Sequence, residues 1–152
     1  TDVEFESMTQ PTVIGAKTLE RATRHYRNSK FLDMAVEIAL YHDERFNGSG
    51  YPCGLRGEEI PLSARITALA DVFDALTSAR VYKSAMSLEK ARDLIVAERG
   101  EHFDPLIVDV FGHCLQDFFE VKRAIDNGDH GVFEASYGNR MDIDSMVGAV
   151  NG

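Results

Sequence analysis

Tyr41-His42-Asp43-Glu44-Arg45-Phe46-Asn47-Gly48-Ser49-Gly50-Tyr51-Pro52 marks the point where a helical pattern ends and a glycine-rich loop begins. Upstream, Phe31, Met34, Ala35 and Ile38 recur at spacings of three and four, which predicts a helix from about Ser29 to His42. His42 falls on the same stripe, four residues after Ile38. Downstream, the segment from Asn47 to Glu59 holds four glycines and one proline with little periodicity, so it reads as a loop. The helical period resumes at Leu62 and predicts a third helix to Ser78. Its core face is expected to carry Ile66, Leu69, Ala70, Phe73 and Leu76, with Thr67, Asp71, Asp74 and Ser78 as a polar stripe alongside.

Farther out, Ser87 is an apt N-cap for a fourth helix running through Ala91, Leu94, Ile95 and Glu98, and Gly100 is a natural stop. Asp104-Pro105 starts a fifth, with Leu106, Ile107, Val110, Phe111, Leu115 and Phe118 as its apolar face. Before Asn28 the residues Phe5, Met8, Val13, Ile14 and Leu19 are broadly helical, and Pro11 predicts a kink or break among them. The fold class is therefore all-α: a helical bundle of about five helices with a long Gly/Pro-containing loop between the second and third. The bundle is expected to occupy residues 1–125. Residues 126–152 form a tail that either holds a short helix near 143–150 or is poorly ordered, and the sequence assigns it no role.

A chain of 152 residues, 44% hydrophobic and 27% charged, suits one soluble domain. It has no apolar run long enough to span a bilayer, and its acidic start lacks the features of a signal peptide, so a cytoplasmic location is expected. Thr1 in place of Met suggests a beginning inside a longer product. Cys53 and Cys114 are far apart with no paired spacing, which predicts two reduced thiols. The net charge of −9 argues against DNA or RNA as a partner. A small phosphate ligand needs only a few well-placed cations or a metal ion.

His42 at a helix end, Asp43 beside it and Asp71 on a polar seam are candidate metal ligands. A histidine that caps or packs is the plain alternative for His42, and an exposed aspartate the plain alternative for Asp71. Gly48 and Gly50 allow a sharply turned loop, while Tyr51 offers a ring for stacking and a hydroxyl for hydrogen bonding. An ordinary surface loop would use many of the same turn residues. Followed by Tyr51-Pro52, Gly54-Leu55, Gly57 and Ile60-Pro61-Leu62, the pattern becomes more specific.

Taken with Ala70-Asp71-Val72-Phe73-Asp74-Ala75-Leu76-Thr77-Ser78 and Arg80-Val81-Tyr82-Lys83, this loop resembles the HD-GYP branch of the HD phosphohydrolases. The resemblance covers roughly Asp2 to Phe111 and implies a helical bundle that hydrolyses cyclic di-GMP with bound divalent metal. In that family the metals are held by a His-Asp dyad, a His on the next helix, a His-His pair before the loop and an Asp on the following helix. By this resemblance His42 takes the place of the first His of the pair, Asp43 the second, and Asp71 the final Asp. Carboxylate in place of imidazole favours harder ions, so iron or manganese is expected rather than zinc. The resemblance also implies guanine contact by Tyr51 on the Gly48–Gly50 turn and phosphate contact by Arg80 and Lys83.

Two departures bear on activity. Pro11 stands where the family places a metal His before Val13-Ile14-Gly15-Ala16, and proline cannot ligate. The dyad and its Lys would lie upstream of Thr1. With three ligand positions retained, this chain is expected to hydrolyse weakly or not at all. The alternative is a non-catalytic module that binds cyclic di-GMP or contacts a signalling protein. Another HD-type phosphohydrolase activity is a more distant reading, since the Gly-Tyr-Pro loop is not expected across the wider superfamily.

Overall fold

Ser29 and His42 bracket the second helix, as the apolar stripe predicts. The computed structural model describes residues 2–23, 29–79 and 84–128. Among these the order is α1 (Asp2–Thr23), α2 (Lys30–Tyr41), a 3-10 turn (Gly57–Glu59), α3 (Leu62–Thr77), α4 (Leu88–Ala97), α5 (Pro105–His113) and α6 (Leu115–Asp126), with no strand. The all-α reading holds. Ser87, the predicted N-cap, accepts the Lys90 N–H on its Oγ at 3.3 Å, and Ser29, where the second helix was expected to start, does the same for the Leu32 N–H at 3.4 Å, so each satisfies a free amide of the first helical turn. Gly100 follows α4 with a φ of 82°. No helix among the described residues is long and apolar enough to cross a membrane. The expected terminal helix near 143–150 lies outside the described residues.

The chain divides into two units, Thr1–Asp109 and Val110–Gly152. In the first, α1 packs on α2, α2 on α3 and α3 on α4. Its buried apolar residues include Ala16, Ile60, Leu69, Phe73, Ile95 and Phe103. Arg65 on α3 pairs with buried Asp104, whose other oxygen accepts the Leu106 N–H at 2.8 Å, so one carboxylate both anchors α3 and starts α5. In the second unit, Phe111, Phe119 and Ala124 are buried, and Phe111 meets Phe118 edge-on with ring centres 5.0 Å apart.

Three expectations need correction. Pro11 does not interrupt α1, which runs on through it. A proline costs a helix one hydrogen bond, but its ring here is exposed, while Thr12 and Ala16 are buried just beyond it. On α3, Ala64, Ala68, Leu69, Phe73 and Thr77 face inward, whereas Ile66 and Ala70 are exposed. Small residues let α3 approach its neighbours closely, and that selects a face rotated from the one with the bulkiest side chains. The single fifth helix is two, α5 and α6, parted at Cys114. The apolar stripe of α2 is only partly covered: none of its residues is buried, and Phe31 is 66% exposed.

Candidate functional site

The C-terminal end of α2 fixes the first side chain. His42 caps the helix, and both its backbone N–H, at 3.1 Å, and its ring Nδ1, at 2.9 Å, reach the Ile38 carbonyl. A carbonyl only accepts, so in the neutral ring Nδ1 carries the proton and Nε2 keeps its lone pair for a ligand. Asp43 Oδ2 lies 3.6 Å from Nε2, outside hydrogen-bond range. Two acceptor atoms at that spacing can share a cation.

Asp43 also holds the loop. Its carbonyl accepts the Tyr51 N–H at 3.3 Å, and its carboxylate accepts the Tyr51 hydroxyl. Burial, then the Asp43 charge and this hydrogen bond, push the Tyr51 phenol above its ordinary value, so Tyr51 is a donor rather than an anion. Gly48 has a φ of 83°, the left-handed geometry predicted for a sharp turn. Gly50 is needed for a different reason. A Cβ there would stand 2.2 Å from the Arg45 nitrogen and 2.5 Å from the Glu44 Cα, so it is close approach of two backbone segments, not a special φ, that demands glycine.

Glu44 was not among the sequence candidates. Its side chain is fully buried, with the residue 2% exposed, and accepts three consecutive amides: Cys53 N at 2.7 Å and Gly54 N at 3.1 Å on one oxygen, Leu55 N at 3.1 Å on the other. Successive amides of this kind form an anion-binding concavity. Here the protein's own carboxylate fills it, so this part of the loop is no phosphate cradle. The signal in the sequence is an acid directly before a glycine-rich loop whose amides need acceptors.

The outer side of the loop docks on the turn after α4. Phe46 N donates to the His102 carbonyl at 3.0 Å and Asn47 N to the Glu101 carbonyl at 2.9 Å. Arg45 pairs with Glu98 at 2.7 Å, and Asn47 Nδ2 donates to Glu101 Oε2 at 2.9 Å. His102 stacks on Phe103 with centres 4.2 Å apart, a packing contact. Burial pushes His102 below the usual imidazole value, the Arg45 charge adds to this, and Glu98 and Asp43 oppose it. Both cysteines are free thiols, as expected.

Asp71 is exposed on α3 and shares with His42 a largely apolar groove of about 520 Å³, lined also by Phe31, Met34, Ile38 and Thr67. The structure thus sets His42 beside Asp43 and in the same groove as Asp71. Among the described residues, however, no group of three His, Cys, Asp or Glu side chains could hold a metal ion. A metal centre needs more donors than this set provides. The described residues therefore do not by themselves complete a site for the expected metal. Arg80 and Lys83 lie outside the described residues.

Comparison with known proteins gives a consistent picture. Residues 4–107 match the HD domain family. A cyclic di-GMP phosphodiesterase of Vibrio cholerae serotype O1 is 55% identical over 111 residues, which cover 73% of this chain and 23% of that protein. A cyclic di-GMP phosphodiesterase of Thermotoga maritima is 43% identical over 123 residues, covering 81% of this chain and 32% of the relative. The 3'3'-cGAMP-specific phosphodiesterase 2 of Vibrio cholerae is 37% identical over 122 residues, 80% of this chain and 22% of the relative. This chain thus spans between about a fifth and a third of these relatives' lengths. Among solved structures, a cyclic GMP-AMP-specific phosphodiesterase of Vibrio cholerae superposes with a TM-score of 0.50 at 34% identity, covering 62% of this chain and 20% of that one.

Proposed function

The chain belongs to the HD domain family, and from that premise we propose that it is the substrate-recognising part of an HD-GYP-type cyclic dinucleotide phosphodiesterase, acting on cyclic di-GMP in the cytoplasm. Phosphodiester hydrolysis at neutral pH requires a strong nucleophile and relief of phosphate charge, which bound metals supply in this class of chemistry. His42, Asp43 and Asp71 are the positions that would meet the metal, iron or manganese rather than zinc. They make an incomplete set, so this polypeptide binds cyclic di-GMP but turns it over slowly or not at all.

On the substrate side, Tyr51 stacks on a guanine while its hydroxyl stays tied to Asp43. Gly48 and Gly50 shape the turn that carries it. Arg80 grips two phosphate oxygens through its planar fork, and Lys83 supplies a movable positive charge. These two cations offset, locally, the net charge of −9 that would otherwise repel a dianionic ligand.

The observation that supports this reading most is the joint placement of His42. In the neutral ring its Nε2 is available to a ligand, it shares a groove with Asp71, and it stands next to the residue that holds Tyr51. A non-catalytic signalling module is the second reading, and the incomplete donor set favours it.

Calorimetric titration with cyclic di-GMP, with and without manganese, together with chromatography of the products, tests the proposal. Saturable binding with negligible linear product is expected, and Arg80→Ala and Lys83→Ala should each weaken binding by about tenfold, the loss of one charge-assisted contact. Rapid manganese-dependent turnover would show the site to be complete. Absence of binding in both conditions would leave protein interaction as the role of the loop.

A further inference from the structure

We infer that Glu44 is the positioning residue of the recognition loop: its buried charge, bound to the loop's own amides, sets where Tyr51 stands. This rests on the reading of Tyr51 as a ligand contact. Residues 43–45 offer the loop three seats. Asp43 takes the Tyr51 amide and hydroxyl, the Glu44–Arg45 backbone receives Gly50 flat against it, and the Glu44 carboxylate takes the amides of Cys53, Gly54 and Leu55.

Of these, the Glu44 seat can bear the most. The Asp43–Tyr51 side-chain contact is half-exposed and open to competition from water, and the Gly50 contact is steric, limiting how far the loop can move inward without pulling it there. Glu44 alone is removed from water, and hydrogen bonds to a charged acceptor are about twice as strong as neutral ones. Glu44 also lies next in sequence to Asp43. The loop's return limb and Tyr51 are therefore held on the same turn of chain, so release of the 53–55 amides loosens the backbone that carries Tyr51.

Charge is the operative property, which Glu44→Gln isolates. The amide keeps the size of the side chain and one acceptor oxygen for Cys53 and Gly54, but it presents an N–H₂ to the Leu55 N–H. Two donors then face each other in a buried place. Glu44→Asp keeps the charge with a shorter reach, and Glu59→Gln alters an exposed carboxylate that accepts the Arg56 N–H at 3.0 Å.

The test uses the full chain of each variant, with circular dichroism to confirm the helices. Amide exchange at residues 53–55 and the NMR signals of labelled tyrosine, with Tyr51→Phe to assign Tyr51, report loop position. Titration with cyclic di-GMP reports recognition. In Glu44→Gln the 53–55 amides should exchange at least tenfold faster, the Tyr51 ring signal should move, and affinity should fall by tenfold or more. Glu44→Asp should recover part of each change, and Glu59→Gln should match the parent chain in all three. Unchanged exchange and Tyr51 signal in both Glu44 variants would overturn the inference, and so would a freed loop with undiminished affinity. If the parent chain binds no cyclic dinucleotide, the proposed function fails, and exchange and the Tyr51 signal alone decide whether Glu44 positions the loop. Should Glu44→Gln lose its helices, Glu44→Asp decides between the same outcomes.

Discussion

Gly50 lies against Arg45 so closely that a single added carbon would stand 2.2 Å from the Arg45 backbone nitrogen. The neighbour is main chain, so it cannot rotate away as the end of a side chain would. Gly50→Ala should therefore push the loop off residues 44–45, at a cost at or above the roughly 1–3 kcal/mol of ordinary overpacking. Urea unfolding would measure the loss. Stability equal to that of the parent chain would mean that the loop does not rest on this backbone in solution.

His102 makes stability depend on pH. Its imidazole is held below the ordinary value of 6.5 by burial first and the Arg45 charge second, against Glu98 and Asp43. A group with a depressed folded-state pKa takes up its proton more readily when unfolded. Its contribution is complete above about pH 6.5 and is lost as pH falls through the lower folded value. His102→Gln retains the backbone carbonyl that receives Phe46 N–H but cannot titrate in this range. Unfolding curves between about pH 5 and 7.5 should be flatter for the variant than for the parent, and equal slopes would remove His102 from the account.

Asp104 binds Arg65 with both side chains largely withdrawn from water, at 7% and 15% exposure. Asp104→Ala strands the guanidinium and also releases the Leu106 N–H. Breaking one member of a buried pair costs about 3–5 kcal/mol. The midpoint of chemical denaturation should fall accordingly. A change within about 0.5 kcal/mol, the scale of an ordinary surface substitution, would show that water reaches the pair.

Sequence alone determined those features of the protein that depend on residues within a turn or two of each other. The start of α2 near Ser29, the cap at Ser87, the stop at Gly100, the loop after His42 and the left-handed turn at Gly48 all follow from local hydrogen-bonding and steric rules. The family was legible for a related reason: its motifs lie in two short continuous segments, His42 to Pro52 and α3.

Tertiary structure decided the rest. Hydrophobic periodicity marked α2 and α3 as amphipathic, but whether a stripe is covered depends on the elements packed beside it. Phe31 and Ile66 were left exposed while Ala64 and Ala68 went inside. Glu44 reads as one more acid among charged neighbours until the chain returns and presents three amides to it, and Gly50 reads as a flexible turn until its backbone meets residues 44 and 45. His42 and Asp71 stand in one groove because α2 packs on α3. Burial and contact between distant segments arise only on folding, which is why the loop's location was legible in the sequence and the carboxylate that holds it was not.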